Sequence, residues 1–256
     1  MSRSASQPQR EETRLEGLAS LLSTIVIALF ALTFLFQNFA IPSASMASTL
    51  LVGDHVLVER ATLAPSAAWA GFLPYRDVHR GEPIVFYKPI LEPDGQELIL
   101  VKRVIGIPGD RIHLRRGIVY LNGIAQDEPR AAKPTAANYD PYRDDFPSIP
   151  STNVPGVTAQ WSLDLPMHIS GEDLVVPPGS FFVMGDNRTN SLDGRYWGLV
   201  PRSNLIGRPL FVYWSFKTSE DQIDKTSLTE KTSFTLHQLT HFVSETRWNR
   251  TLHPIN

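Results

Sequence analysis

Glu97–Gly123, ELILVKRVIGIPGDRIHLRRGIVYLNG, is built from three short runs rich in Val, Ile, Leu and Tyr, each closed by turn residues. The runs are Glu97–Ile105, Arg111–Leu114 and Gly117–Leu121, and the breaks are Pro108-Gly109-Asp110 and Asn122-Gly123, the latter a strong hairpin signal. The same texture recurs at Leu50–Glu59, Ile84–Lys88, Ser180–Met184 and Leu210–Ser215, with Pro177-Pro178-Gly179 as another turn. These spacings predict a mainly β, mostly antiparallel fold.

Outside these runs, one segment is of a different kind. Leu18–Phe36, LASLLSTIVIALFALTFLF, is nineteen residues without a charge. At about 1.5 Å per residue it spans roughly 28 Å, close to the hydrocarbon thickness of a bilayer. A cleaved leader is the competing reading, because Ala44-Ser45-Met46-Ala47 supplies small residues downstream, but the apolar run exceeds the roughly 7–15 residues of such leaders. A retained anchor is the expectation. Arg3, Arg10 and Arg14 precede it and no Lys or Arg follows before Arg60, so the N-terminus is expected inside and the rest outside.

The whole chain has 256 residues, enough for one large domain or one with a satellite at roughly 150 residues each. With 24 Lys and Arg against 26 Asp and Glu, net charge −2, and no basic run longer than a pair, the electrostatic footprint of nucleic-acid binding is missing. No cysteine is present, which excludes disulfides, thiolate metal sites and a cysteine nucleophile. The expected organisation is a tail over 1–17, an anchor over 18–36, a β domain in two parts over 37–124 and 177–216, an inserted cap over 125–176, and a C-terminal tail over 217–256. The stretch from Ala125 to Val176 is polar and proline-rich; it reads as a loop with a small cap of strands or, alternatively, as a substrate contact. In the tail, Leu236, Leu239, Phe242 and Val243 have helical spacing and suggest a packing helix. His237 and His241 lie one turn apart, but no third metal ligand or HExxH glutamate accompanies them in the sequence. Trp69–Tyr75, WAGFLPY, fits either a second contact with lipid or a small aromatic core.

Three segments are odd for a purely structural β domain. Pro42–Met46, PSASM, sets Ser43 and Ser45 two residues apart where the chain leaves the bilayer; they are either an exposed pair of hydroxyls or helix caps. In Leu98–Ile105 the pair Lys102-Arg103 interrupts an apolar run, and alternation puts each cation on an apolar face. An edge strand with both heads reaching water is one account. The other is a desolvated amine: arginine keeps its proton, whereas a buried lysine can lose it near neutral pH and take a proton from a serine hydroxyl. The third segment, Gly185–Gly198, GDNRTNSLDGRYWG, gathers Asp186, Arg188, Ser191, Asp193 and Arg195 around glycines.

Together PSASM, KRVIGIPGD at Lys102–Asp110 and GDNRTNSLDGRYWG closely resemble the boxes of bacterial type I signal peptidases, membrane-bound Ser/Lys endopeptidases that cut signal peptides from exported proteins. The resemblance implies a β-rich, signal-peptidase-like catalytic domain; with the residue reading above, the expected architecture is a single N-terminal transmembrane helix followed by that domain with an inserted cap, whereas many members of the family have two membrane spans. It implies Ser45 as nucleophile, Lys102 as general base, Ser191 as the hydroxyl positioning the lysine, and the Ser45 N–H with the Ser43 hydroxyl as oxyanion donors. Asp193 and Arg195 would brace the site, and Asp186 and Arg188 would hold the loop. No cofactor or metal is implied. Exported preproteins, cut after small residues in an Ala-x-Ala pattern, would be the substrates at the outer face of the cytoplasmic membrane, with membrane lipid and an export translocon as further partners. The chain departs from the pattern at Ala44 for glycine, Ser48 for proline, Gly194 for serine, and Glu82-Pro83 for the aspartate after Arg80-Gly81. A specialised Ser/Lys peptidase serving one exported substrate, of the conjugation type, and a catalytically silent membrane-tethered β-domain are the rival readings.

Overall fold

In a computed structural model, residues 14–63, 75–92, 94–219 and 227–255 are described. Trp69–Pro74, and the arginines 3 and 10 that set the orientation argument, lie outside them.

The chain opens with α1 (Arg14–Phe30) and a π-helical turn over Ala31–Leu35. Leu15–Leu35 forms a helix of 21 residues with mean hydropathy 2.4, none of it buried against the rest of the protein. At 1.5 Å per residue that is about 31 Å, sufficient to cross a bilayer. The strands follow: β1 (Phe36–Ala40), β2 (Asp54–Glu59), β3 (Pro83–Tyr87), β4 (Ile99–Gly106), β5 (Arg111–Arg115), β6 (Ile118–Leu121) and β7 (Ile124–Ala125). Next come helices α2 (Pro141–Asp144) and α3 (Ala159–Asp164), strands β8 (Ile169–Ser170), β9 (Asp173–Val175) and β10 (Ser180–Met184), and helix α4 (Gly194–Trp197). Strands β11 (Val200–Pro201) and β12 (Leu205–Ser215), helices α5 (Leu228–Thr240) and α6 (Phe242–Glu245), and strand β13 (His253–Pro254) complete the chain.

All strand pairs are antiparallel and form two sheets. The larger has the order β1-β2-β12-β3-β4-β10-β11, with β13 on β12; the smaller has the order β7-β6-β5-β9-β8. The smaller sheet therefore draws β5 and β6 from before residue 125 and β8 and β9 from the proline-rich stretch. Its inner face packs Ile112, Leu114 and Leu174 against Phe146, Trp161 and Phe182. In β2 the alternation is clean: Asp54, Val56 and Val58 face inward.

Strand β4 lies between β3, where Ile84 faces Lys102, and β10, where Met184 faces Arg103. The strand is flanked on both edges, and from Lys102 to Gly106 successive residues on both of its faces are buried, so both cations are enclosed, Lys102 at 3% and Arg103 at 6% exposure. The edge-strand account of this pair does not hold. In the tail, α5 forms, but Leu236 and Leu239 point outward at 63% and 71% exposure. Its contact with the body runs instead through Phe234 and His237, whose rings stand edge-on to Phe216.

Candidate active site

The turn carrying Ser45 is held from below. After β1, the Ile41 N–H bonds to Asp54 O at 2.8 Å, and a 3-10 turn over Ala44–Met46 follows. Met46, 2% exposed, plugs into the core beside Leu50, Val56 and Val85, and its carbonyl accepts from Leu50 N at 2.6 Å. Its neighbour Ser45 is left half-buried at the cleft. Ser43 sits at the N-cap in extended conformation yet makes no capping hydrogen bond; its Oγ lies 3.3 Å from Ser45 Oγ. The helix-cap reading of these serines is thus excluded for Ser43.

Lys102 reaches the same point from β4, with Nζ 2.5 Å from Ser45 Oγ. Burial pushes its pKa from 10.5 down to about 8; the nearby Asp193 and Asp186 charges pull it up and Arg195 pushes it further down. About a tenth of the amine is then neutral at pH 7 and about half at pH 8, so this amine can accept a hydroxyl proton.

The Gly185–Gly198 loop clamps the Ser45 turn and grips Arg103, the neighbour of Lys102. Asn187 donates its backbone N–H to Ser45 O at 3.0 Å and its amide Nδ2 to Ala44 O at 3.1 Å. A side chain at Gly185 would stand 2.3 Å from Ser191 Oγ and 2.5 Å from Ser45 O, so only glycine permits this approach. Asp193 accepts from Gly185 N at 3.0 Å and pairs with Arg195 through two 2.8 Å contacts, both side chains fully buried. Arg195 holds Asp193 below the usual carboxylate range against the opposing effect of burial. Arg195 also donates to the carbonyls of Arg188 and Arg143. Asp186 is taken by Arg103 through two 2.7 Å contacts and by the Thr49 hydroxyl. Arg188, 2% exposed, donates to Gly185 O and pairs with Glu128.

Of the eight residues singled out in the sequence, Ser43, Ser45 and Lys102 meet directly, Asp193 and Arg195 form one buried pair behind them, and Asp186 and Arg188 serve separate pairs. Ser191 is buried beside Gly185, but its Oγ has no hydrogen-bond partner among the described residues and makes no bond to Lys102. Thr49, Arg103, Glu128, Arg143 and Asn187 were not anticipated in these roles. Asn187, within the GDNR motif, and Arg103, in the cationic pair that interrupts the apolar run of β4, had a local signal; Thr49, Glu128 and Arg143 join segments far apart in the chain.

Two recesses flank Ser45. One is a small apolar groove of Phe39, Ile41, Pro42, Ile99 and Val101. The other is open and more polar, bounded by Lys88, Glu92, Asn190 and Leu192, with Gly156 and Thr158 contributed by the 125–176 stretch. A hydroxyl in contact with a buried amine, with recesses on either side, is an arrangement in which the amine could take the hydroxyl's proton.

Comparison with known proteins agrees. A family model described as signal peptidase, peptidase S26, matches residues 14–214. The chain is 33% identical over 213 residues to the signal peptidase I of Leptolyngbya laminosa, covering 82% of this chain and 84% of that protein. It is 31% identical over 205 residues to probable signal peptidase I-2 of Synechocystis sp., covering 80% and 75%. To the signal peptidase I of Aquifex aeolicus it is 31% identical over 229 residues, covering 78% and 84%. The chain belongs to the peptidase S26 family of signal peptidases, which are serine endopeptidases.

Proposed function

We propose that this chain is a membrane-anchored signal peptidase I that cuts exported preproteins after small residues, with Ser45 as nucleophile and Lys102 as general base. The observation that carries it is the 2.5 Å contact between Lys102 Nζ and Ser45 Oγ, with the lysine almost wholly out of water.

Neutral Lys102 takes the proton of the Ser45 hydroxyl as Oγ bonds to the scissile carbonyl carbon. The electron pair of the C=O moves onto oxygen, and the oxyanion forms beside the Ser43 hydroxyl and the Ser45 N–H, one of the first N–H groups of a helical turn. Lysine then returns the proton to the departing amine nitrogen as the C–N bond breaks. Water, deprotonated by the same amine, hydrolyses the ester and regenerates Ser45. Asp193–Arg195 fixes the loop behind the lysine, and Ser191 orients the amine when substrate fills the cleft. The groove of Phe39, Ile41, Ile99 and Val101 is apolar and narrow, which suits Ala-sized side chains ahead of the cut.

The apolar helix crosses the cytoplasmic membrane once with the N-terminus inside, following the arginine bias of residues 3, 10 and 14. Ser45 lies ten residues past Leu35, so the site stays close to the outer lipid surface, where a signal peptide ends and an export translocon delivers its cargo. Full-length protein in detergent should cleave an Ala-x-Ala precursor at that junction. Ser45→Ala and Lys102→Met should each abolish turnover while retaining the wild-type circular dichroism; cleavage by either variant at the wild-type rate refutes the pair.

A further inference from the structure

Three ligating side chains meet at the α5–α6 junction, none of them lining the Ser45 cleft. His237 lies in the last turn of α5, His241 follows the helix end, and Glu245 ends α6, an i, i+4, i+8 series. The chain breaks and restarts helically at His241, with His241 N bonded to His237 O and Glu245 N bonded to His241 O, each at 2.9 Å. That continuity keeps all three on one side. One candidate ligand atom from each lies within 4.8 Å of the others.

We propose that His237, His241 and Glu245 hold a divalent transition-metal ion of the zinc type. Two imidazoles and one carboxylate with a fourth position open to water is a recognised zinc donor set, whereas a single carboxylate is too few hard oxygens for calcium or magnesium. His237 Nε2 and Glu245 Oε2 are 2.9 Å apart, and the two imidazole centroids are 4.2 Å apart. Ligands about 2.0–2.1 Å from a tetrahedral ion stand roughly 3.3 Å from one another, so a small spreading of these side chains admits the metal.

Outer contacts set the donors. His241 Nδ1 lies 2.9 Å from Thr240 Oγ1 and 3.2 Å from His237 O, which places its proton on Nδ1 and its lone pair on Nε2. The His237 ring is seated edge-on to Phe216, and Glu245 O accepts from Lys217 N at 3.0 Å. The next residue, Thr246, bridges to Phe216 and accepts from Trp214 Nε1 at 3.1 Å. An ion here ties α5, a helix with no buried residue of its own, to the end of α6, which is itself bonded to the residues that follow β12, a structural role.

Zinc titration of the metal-free full-length chain in detergent, followed by calorimetry and by the visible spectrum of a cobalt(II) substitute, tests this. One ion per chain and a tetrahedral cobalt spectrum are expected. His241→Ala leaves the His237–Glu245 contact in place and should weaken zinc at least ~10-fold and erase the spectrum, as should Glu245→Gln. A wild-type chain that takes up no zinc, or variants that bind it as the wild type does, overturns the proposal.

Discussion

Arg103 and Asp186 meet as a two-pronged buried ion pair, 2.7 Å at each contact, joining the strand that carries Lys102 to the loop that clamps Ser45. Strand alternation sends the adjacent Lys102 to the opposite face, and among the described residues no carboxylate stands in ion-pair contact with it. One cation is neutralised by pairing, and its neighbour is left to be discharged by burial. Asp186→Asn removes the carboxylate that Arg103 grips through two contacts and leaves Gly81 O and Thr49 among its partners. A loss of about 3–5 kcal/mol in denaturant unfolding is expected. A loss below ~1 kcal/mol would show that the pair does not hold the loop.

Lys102 should leave opposite marks on activity and stability. Its neutral form is the active one, so kcat/KM rises with pH and levels off above an apparent pKa of about 8. Stability follows from the same shift. The unfolded chain binds this proton with pKa 10.5 and the folded chain with about 8, so between these values the unfolded state carries more proton. Lys102 therefore costs the fold most below pH 8, and the cost fades as pH climbs to 10.5. Lys102→Met should be the more stable protein at pH 7, by up to roughly 3 kcal/mol at 1.36 kcal/mol per unit, with the gap closing by pH 10. Equal unfolding midpoints at pH 7 would contradict a desolvated amine.

At Gly185 a methyl group would collide with the carbonyl of Ser45 at 2.5 Å and with the Ser191 hydroxyl at 2.3 Å. Gly185→Ala should therefore push the nucleophile turn away from Lys102. Displacements near 1 Å cost on the order of 10²-fold in rate, and a fall of that size in kcat/KM is expected. Unaltered kinetics would mean that the loop does not set the geometry of Ser45.

Gly194 departs from the family pattern, where serine is common, and its surroundings explain why. A Cβ there would lie 2.8 Å from Val183 O and 2.9 Å from the Phe182 ring, a rigid carbonyl and a buried aromatic. Gly194→Ser should destabilise the protein by ~1–3 kcal/mol, measurable as a lowered midpoint of thermal unfolding, rather than restore anything. A neutral or stabilising result would show that this strand–helix junction yields easily.

Much of the molecule was readable along the chain. The apolar helix, the short β runs and the turns are local: a run of uncharged residues or a Pro-Gly-Asp break constrains the backbone wherever it falls, and the antiparallel sheets formed on those runs. The motif around Ser45, Lys102 and Gly185–Gly198 was equally legible, because small and charged residues stand where an ordinary strand would be apolar. Other features depended on which strands became neighbours. That β4 is central rather than at an edge, and that Asp186 serves Arg103 while Arg188 serves Glu128, are contacts between positions the chain brings together only on folding. Burial and pairing are properties of surroundings, and so is the lowered pKa of Lys102: the residue type is written at position 102, but the dry environment that discharges it is supplied by strands from elsewhere in the chain.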